Sequence, residues 1–206
     1  MKLCTITGSR AEFFLLKNLI TKINNEKKLK NNLLVTGSHN SALFGNTIKD
    51  IKQSNIKIKA IVNLKIKNDR PTDISKYISE GIKKFSNHFN SIKPDLVIIL
   101  GDRYEIYTAA IAAYILKIPI AHIEAGLRTN DLYEPFPEEA NRRLISQIAS
   151  LNFAPTKTAY QNLINSNVSG EIFITGIREQ TYNLNITLNV SVLAKWKTTI
   201  QIIACS

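Results

Sequence analysis

The sequence predicts a doubly wound α/β domain, an open sheet of parallel strands with helices on both faces. Three observations predict it. Short apolar runs alternate with longer amphipathic runs along most of the 206 residues. One run, LVIIL at residues 96–100, is apolar throughout, as a strand covered on both faces must be. Polar, glycine-containing turns leave two of the strands, GSRAE at 8–12 and GDRYE at 101–105. In such sheets, ligands sit outside the carboxyl ends of the strands, where the strand order reverses.

The elements follow in order. Residues 2–7 (KLCTIT) form the first strand, and residues 12–25 a helix with Phe13, Leu16, Leu19, Ile20 and Ile23 at helical spacing. Residues 33–36 are strand two, followed by a weaker helix over 46–53. Residues 58–64 alternate and are lysine-rich, which places strand three near an edge. Pro71 opens a helix to residue 91, since a first-turn proline gives up only an N–H that would have no helical partner. Residues 96–100 are a central strand, 103–116 a helix and 119–123 the next strand. Pro137 introduces a helix over 138–149, and strands at 151–154 and 172–175 flank a helix at 156–165. The pattern is that of a Rossmann-like domain over residues 1–176. Residues 177–206 diverge: they are β-branched and asparagine-rich, with one further strand expected at 198–204.

Composition narrows the function classes. The chain is 44% apolar and 21% charged, ordinary for a globular domain, and its length allows a full core. The formal net charge of +11 is the outlier. Its lysines are scattered rather than clustered, and no aromatic-interleaved basic patch is present, so nucleic acid is not an expected partner. A basic surface still favours an anionic ligand by steering. Cys4 and Cys205 stand at opposite ends, and Cys4 in a buried strand reads as a small apolar residue. Without CxxC pairs, neither disulfides nor a cysteine metal site is expected. The first strand begins almost at Met1 and the longest apolar run is too short to cross a bilayer, so a cytoplasmic protein without a membrane span is expected.

With a strand order of 3-2-1-4-5-6, Gly8-Ser9-Arg10 and Gly101-Asp102-Arg103 leave the strands that flank the crevice, and Glu124 arrives beside them. Each motif has a plain structural alternative. GSRAE is either a tight turn into a helix or a place where Arg10 meets a phosphate or sugar hydroxyl. It lacks the GxGxxG pattern, which disfavours NAD. Asp102 reads as a helix N-cap, a role that can coexist with chemistry. Arg103 and Glu105 are expected to face solvent.

In IPIAHIEAGLR, alternation puts Ile120, His122 and Glu124 on one strand face. His122 reads as a satisfied core residue. Glu124 reads as functional: it needs a partner, for which His122 and Arg128 are the candidates, and desolvation raises its pKa toward that of a useful acid or base. In PFPEEANRR, the carboxylates suit a helix start, and Glu138–Arg142 and Glu139–Arg143 are i,i+4 pairs that give surface support.

Taken together, GSRAE, GDRYE, HIEAGLRTNDLYEPFPEEANRR and the later APT and ITG segments resemble the UDP-N-acetylglucosamine 2-epimerase family over about residues 1–176. The Glu-Ala-Gly to Asn-Arg-Arg block resembles the non-hydrolysing branch, whereas SRAE and GDRYE resemble the hydrolysing one. The resemblance implies the N-terminal half of a two-domain, GT-B-like architecture with a UDP-sugar in the interdomain cleft. It implies removal of the C2 proton and expulsion of UDP through a 2-acetamidoglucal. Carried over by motif, Asp102, Glu124 and Glu138 are the acid/base carboxylates, and Arg10, Arg128 and Arg142 the substrate-binding cations. No cofactor or metal is implied, and a homodimer is compatible with the family.

Two departures bear on activity. Leu15 stands where non-hydrolysing members carry lysine. Residues 198–206 resemble the first strand of the second domain, but the chain reads Ala204-Cys205-Ser206 where the family places a His-Arg motif. The expectation is a half-site with little activity alone. The alternative is a non-catalytic module of the same fold that pairs with another chain. A glycosyltransferase half shares the architecture, but the glutamate-rich block argues against it.

Overall fold

The computed structural model describes residues 1–40, 47–66 and 68–175. The expected boundary at 176/177, the strand at 198–204 and Cys205 lie outside the described residues. Among the described residues, seven parallel strands form one sheet in the order β3-β2-β1-β4-β5-β6-β7. The elements are β1 (Lys2–Thr7), α1 (Arg10–Asn25), β2 (Lys30–Val35), α2 (Ile48–Gln53), β3 (Ile58–Ile61), α3 (Pro71–Ile92) and β4 (Leu96–Leu100). There follow α4 (Tyr104–Ile115), β5 (Ile120–Ile123), α5 (Glu138–Ile148), β6 (Leu151–Ala154), α6 (Lys157–Asn165) and β7 (Glu171–Ile174).

The 3-2-1-4-5-6 order is as expected, with β7 added beyond β6. The apolar stripe of α1 and Ile48 and Ile51 of α2 pack on one sheet face with Leu3, Leu33, Leu96 and Ile98. Helices α3, α4 and α5 cover the other face, where Phe85, Phe89 and Ile145 meet Cys4, Val97 and Ile99. All five residues of β4 are buried, because helices lie on both sides of it. β3 alternates between half-buried and exposed positions at the sheet edge, as its lysine-rich pattern predicts. It is shorter than expected, ending at Ile61.

Local chemistry sets the helix ends. Ser9 caps α1, its Oγ accepting the Glu12 N–H at 3.3 Å. Pro71 occupies the first turn of α3, and Lys93 ends that helix in the left-handed region at φ 50°. The short 3-10 turn at Gly37–Asn40 has no counterpart in the sequence pattern. Cys4 is buried and free, and burial pushes its thiol pKa up, so it remains an inert core group. Among the described residues, no helix is long and apolar enough to cross a membrane.

Candidate active site

The order reverses between β1 and β4, so the crevice opens above their carboxyl ends, with β5 beside β4. Three groups of side chains lie at or beside these strand ends.

The first lies at the exit of β1. Glu12 reaches back so that its Oε2 accepts the Gly8 N–H at 2.6 Å, which fixes the turn that carries Ser9 and Arg10. Glu12 is buried, and desolvation, helped by the Glu105 charge and opposed by the Gly8 bond, raises its pKa to about 7. Glu105 is not solvent-facing as the sequence suggested. It is 4% exposed, because α4 turns it inward beneath the turns after β1 and β2. Its carboxylate accepts from Arg103 Nε at 3.0 Å and Tyr77 Oη at 3.4 Å. A Cβ on Gly8 would lie 2.7 Å from Glu105 Cγ, so only glycine fits there. Arg103 does keep substantial exposure, with half of its side chain accessible. Arg10 projects from the first turn of α1, its side chain 64% exposed, and pairs with Asp50 at 3.0 Å.

The second group joins β4 to α5. Asp102 is not the N-cap of α4; Arg103 holds that position, and no side chain caps the helix. Asp102 instead turns toward α5, where Arg142 Nε donates to its Oδ2 at 2.7 Å and Nη2 contacts the same oxygen. Asn141 Nδ2 donates to the Asp102 carbonyl at 2.9 Å. Burial raises the Asp102 pKa above its ordinary value even though Arg142 opposes the shift.

Glu124 follows β5 with φ 65°, the left-handed region that few non-glycine residues adopt. That backbone reversal ends the strand at Ile123 and takes Glu124 off the alternation expected with Ile120 and His122. Neither expected partner reaches it. His122 points into the core, its Nε2 2.9 Å from the Gly101 carbonyl and its Nδ1 3.4 Å from Ser146 Oγ. Burial lowers the His122 pKa to about 4, so the ring is neutral and structural, as its sequence context suggested. Arg128 turns to Glu139 instead. The Glu124 pKa is raised, first by desolvation and then by the Asp102 charge, with Arg142 opposing. Two carboxylates with raised pKa values therefore stand at the ends of the paired strands β4 and β5, near enough for the Asp102 charge to act on Glu124.

The third group is α5 itself. The Glu139–Arg143 pair forms at 2.7 Å, but the expected Glu138–Arg142 pair does not. Arg142 binds Glu139 at 3.0 Å and Asp102 instead. Glu139 is fully buried, so this cluster is not surface support. Glu138 is half-buried at the helix start and acts electrostatically on Asp102. Sequence reasoning gave Glu12 no role, expected Glu105 to face solvent and took Glu139 only as surface support with Arg143. For Glu139 a signal existed: Arg142 and Arg143 lie at i+3 and i+4 from it, whereas Glu138 has Arg142 alone at such spacing.

Fold and site together define a doubly wound α/β domain with a carboxylate–guanidinium centre at its switch point. Comparison with known proteins makes this specific. The model of the family described as UDP-N-acetylglucosamine 2-epimerase matches residues 21–187. The UDP-N-acetylglucosamine 2-epimerase of Escherichia coli strain K12 is 36% identical over 177 residues, 85% of this chain and 45% of the relative. A hydrolysing UDP-N,N'-diacetylbacillosamine 2-epimerase of Legionella pneumophila is 32% identical over 163 residues, 79% of this chain and 42% of the relative. The crystal structure of the Neisseria meningitidis UDP-GlcNAc 2-epimerase, bound to UDP-GlcNAc, superposes with a TM-score of 0.75 at 31% identity, covering 85% of this chain and 46% of that one. The chain belongs to the UDP-N-acetylglucosamine 2-epimerase family. It spans about 45% of the length of the curated relatives it matches.

Proposed function

We propose that residues 1–176 form the N-terminal half of a UDP-N-acetylglucosamine 2-epimerase site, with the sugar ring lying over the ends of β1, β4 and β5. The observation that carries this reading is the placement of Asp102 and Glu124 at the ends of the paired strands β4 and β5, two carboxylates whose pKa values desolvation raises above their ordinary range, as suits groups that take and return protons. One carboxylate takes the C2 proton. The C1–C2 double bond forms as the C1–O bond to UDP breaks, and the electron pair leaves with UDP. Glu138, at the start of α5, supplies a third carboxylate for returning a proton. Arg10, Arg128 and Arg142 provide positive charge for an anionic substrate, with Arg10 the most exposed of the three. In this reading the protein works in the cytoplasm, and residues 1–176, as half of a site, turn over little substrate by themselves.

The test is titration with UDP-GlcNAc, followed by amide NMR in ordinary water and, in a separate sample, by C2 exchange in deuterated water. The amide resonances of Gly8, Gly101 and Glu124 should shift. Whatever C2 deuterium exchange the chain supports should fall at least about a hundredfold in Glu124→Gln. Unmoved resonances, or exchange indifferent to that substitution, would refute the reading. Released N-acetylmannosamine indicates the hydrolysing branch and UDP-N-acetylmannosamine the non-hydrolysing one. A second reading, a non-catalytic module that pairs through an apolar surface, draws on the exposed Leu132, Tyr133 and Phe136. A monodisperse monomer in light scattering counts against it and against a homodimer.

A further inference from the structure

We propose that Glu139, at the buried centre of the arginine cluster, is a positioning residue that holds Arg142 on Asp102. The proposal rests on the reading of Asp102 as a reacting group. Glu139 sits where two segments and a helix meet, with no solvent exposure. Its Oε2 accepts the Thr129 N–H at 3.1 Å and Arg142 Nη1 at 3.0 Å. Its Oε1 accepts Arg143 Nε at 2.7 Å, and Arg128 Nε lies 4.0 Å away. One carboxylate therefore ties the loop after Glu124 to α5 and offsets three guanidinium groups.

The consequence for Arg142 is geometric. Its Nη1 is held by Glu139 and by the Leu127 carbonyl at 3.1 Å. The guanidinium is planar, so fixing that corner fixes the direction of the rest. The Nε and Nη2 then fall on a single oxygen of Asp102, Oδ2, and among the described residues nothing donates to Oδ1. The arrangement leaves Oδ1 as the oxygen that can accept a proton. Without the Glu139 charge, Arg128, Arg142 and Arg143 repel one another across a buried space, and Arg142 swings away from Asp102.

The Asp102 side-chain titration, followed by carbon-detected NMR of the full chain without substrate, reads this directly. In Glu139→Gln the Asp102 midpoint should rise by about one pH unit, because a guanidinium that left would no longer favour the charged form. Simple loss of a neighbouring negative charge would act in the opposite direction. A midpoint that falls or stays put overturns the proposal. If Glu139→Gln does not give a folded amide spectrum, Glu139→Asp serves. It keeps the charge but is one methylene shorter, and the midpoint should again rise, by less; an unmoved or lowered midpoint overturns the proposal equally. The titration involves no UDP-sugar, so a rise combined with unmoved resonances on UDP-GlcNAc addition would sink the epimerase reading and leave the positioning role standing.

Discussion

Replacing Glu12 with glutamine should stabilise the protein, and more so as the pH rises. Glu12 is 6% exposed, and its pKa is raised from 4.5 to about 7 because burial disfavours the carboxylate more than the Gly8 bond favours it. A raised folded-state pKa means that the native state binds the proton more tightly than the unfolded chain. The stabilisation is complete below pH 4.5 and is lost as the pH climbs through 7. At about 1.4 kcal/mol for each pH unit of difference, the easier ionisation of Glu12 in the unfolded chain costs the native state about 3 kcal/mol at pH 8 and about 1 kcal/mol at pH 5. Glutamine keeps an oxygen to accept the Gly8 N–H and never ionises. Beside Glu105 its amide also gains an acceptor in place of a like charge. Urea denaturation at pH 5 and pH 8, read by far-UV circular dichroism, should show the variant gaining by about those amounts. In a chain of this size the larger figure corresponds to a rise in Tm of roughly 6–12 °C. A variant equally stable relative to the parent at both pH values, or weaker at pH 8, would show that Glu12 is ionised without penalty and refute the argument.

Two other perturbations test the scaffold. His39 bridges Thr7 and Thr47 and is held neutral, burial lowering its pKa to about 4. Its depressed pKa gives stability that is full above pH 6.5 and lost as the pH falls through 4, up to about 3 kcal/mol, so His39→Gln should flatten the acid limb of a urea-based pH–stability profile by that much. Gly126→Ala should cost at least about 2 kcal/mol by the same assay, because φ is +83° and a Cβ would run into the Ala159 carbonyl of α6.

Much of the fold was legible because parallel strands and amphipathic helices write their burial into the order of residues. β1, β4 and β6 begin and end where the apolar runs do. The same periodicity gave the central position of β4 and the edge position of β3. The candidate carboxylates and cations were also named from their motifs, and Asp102 and Glu124 do stand together. Their bonding was less legible. Alternation assigned Glu124 to the face of His122, but a positive φ at Glu124 removes it from that face, and a single left-handed residue leaves no mark in a hydrophobic pattern. Asp102 resembled an N-cap locally, yet a buried arginine forty residues later claims its side chain.

The sequence by itself determined the sheet, its strand order, its two covered faces and the family motifs at the crevice. Those depend on local periodicity and on topological rules that short segments obey one at a time. Only the tertiary structure decided which charges are buried and which meet. Glu105 under Gly8, Glu12 on the Gly8 amide and Glu139 among three arginines are charges from separate segments brought out of water together. Burial of a carboxylate is a property of everything packed around it, so the same residue type is a solvated helix start at one position and a fixed electrostatic anchor at the next.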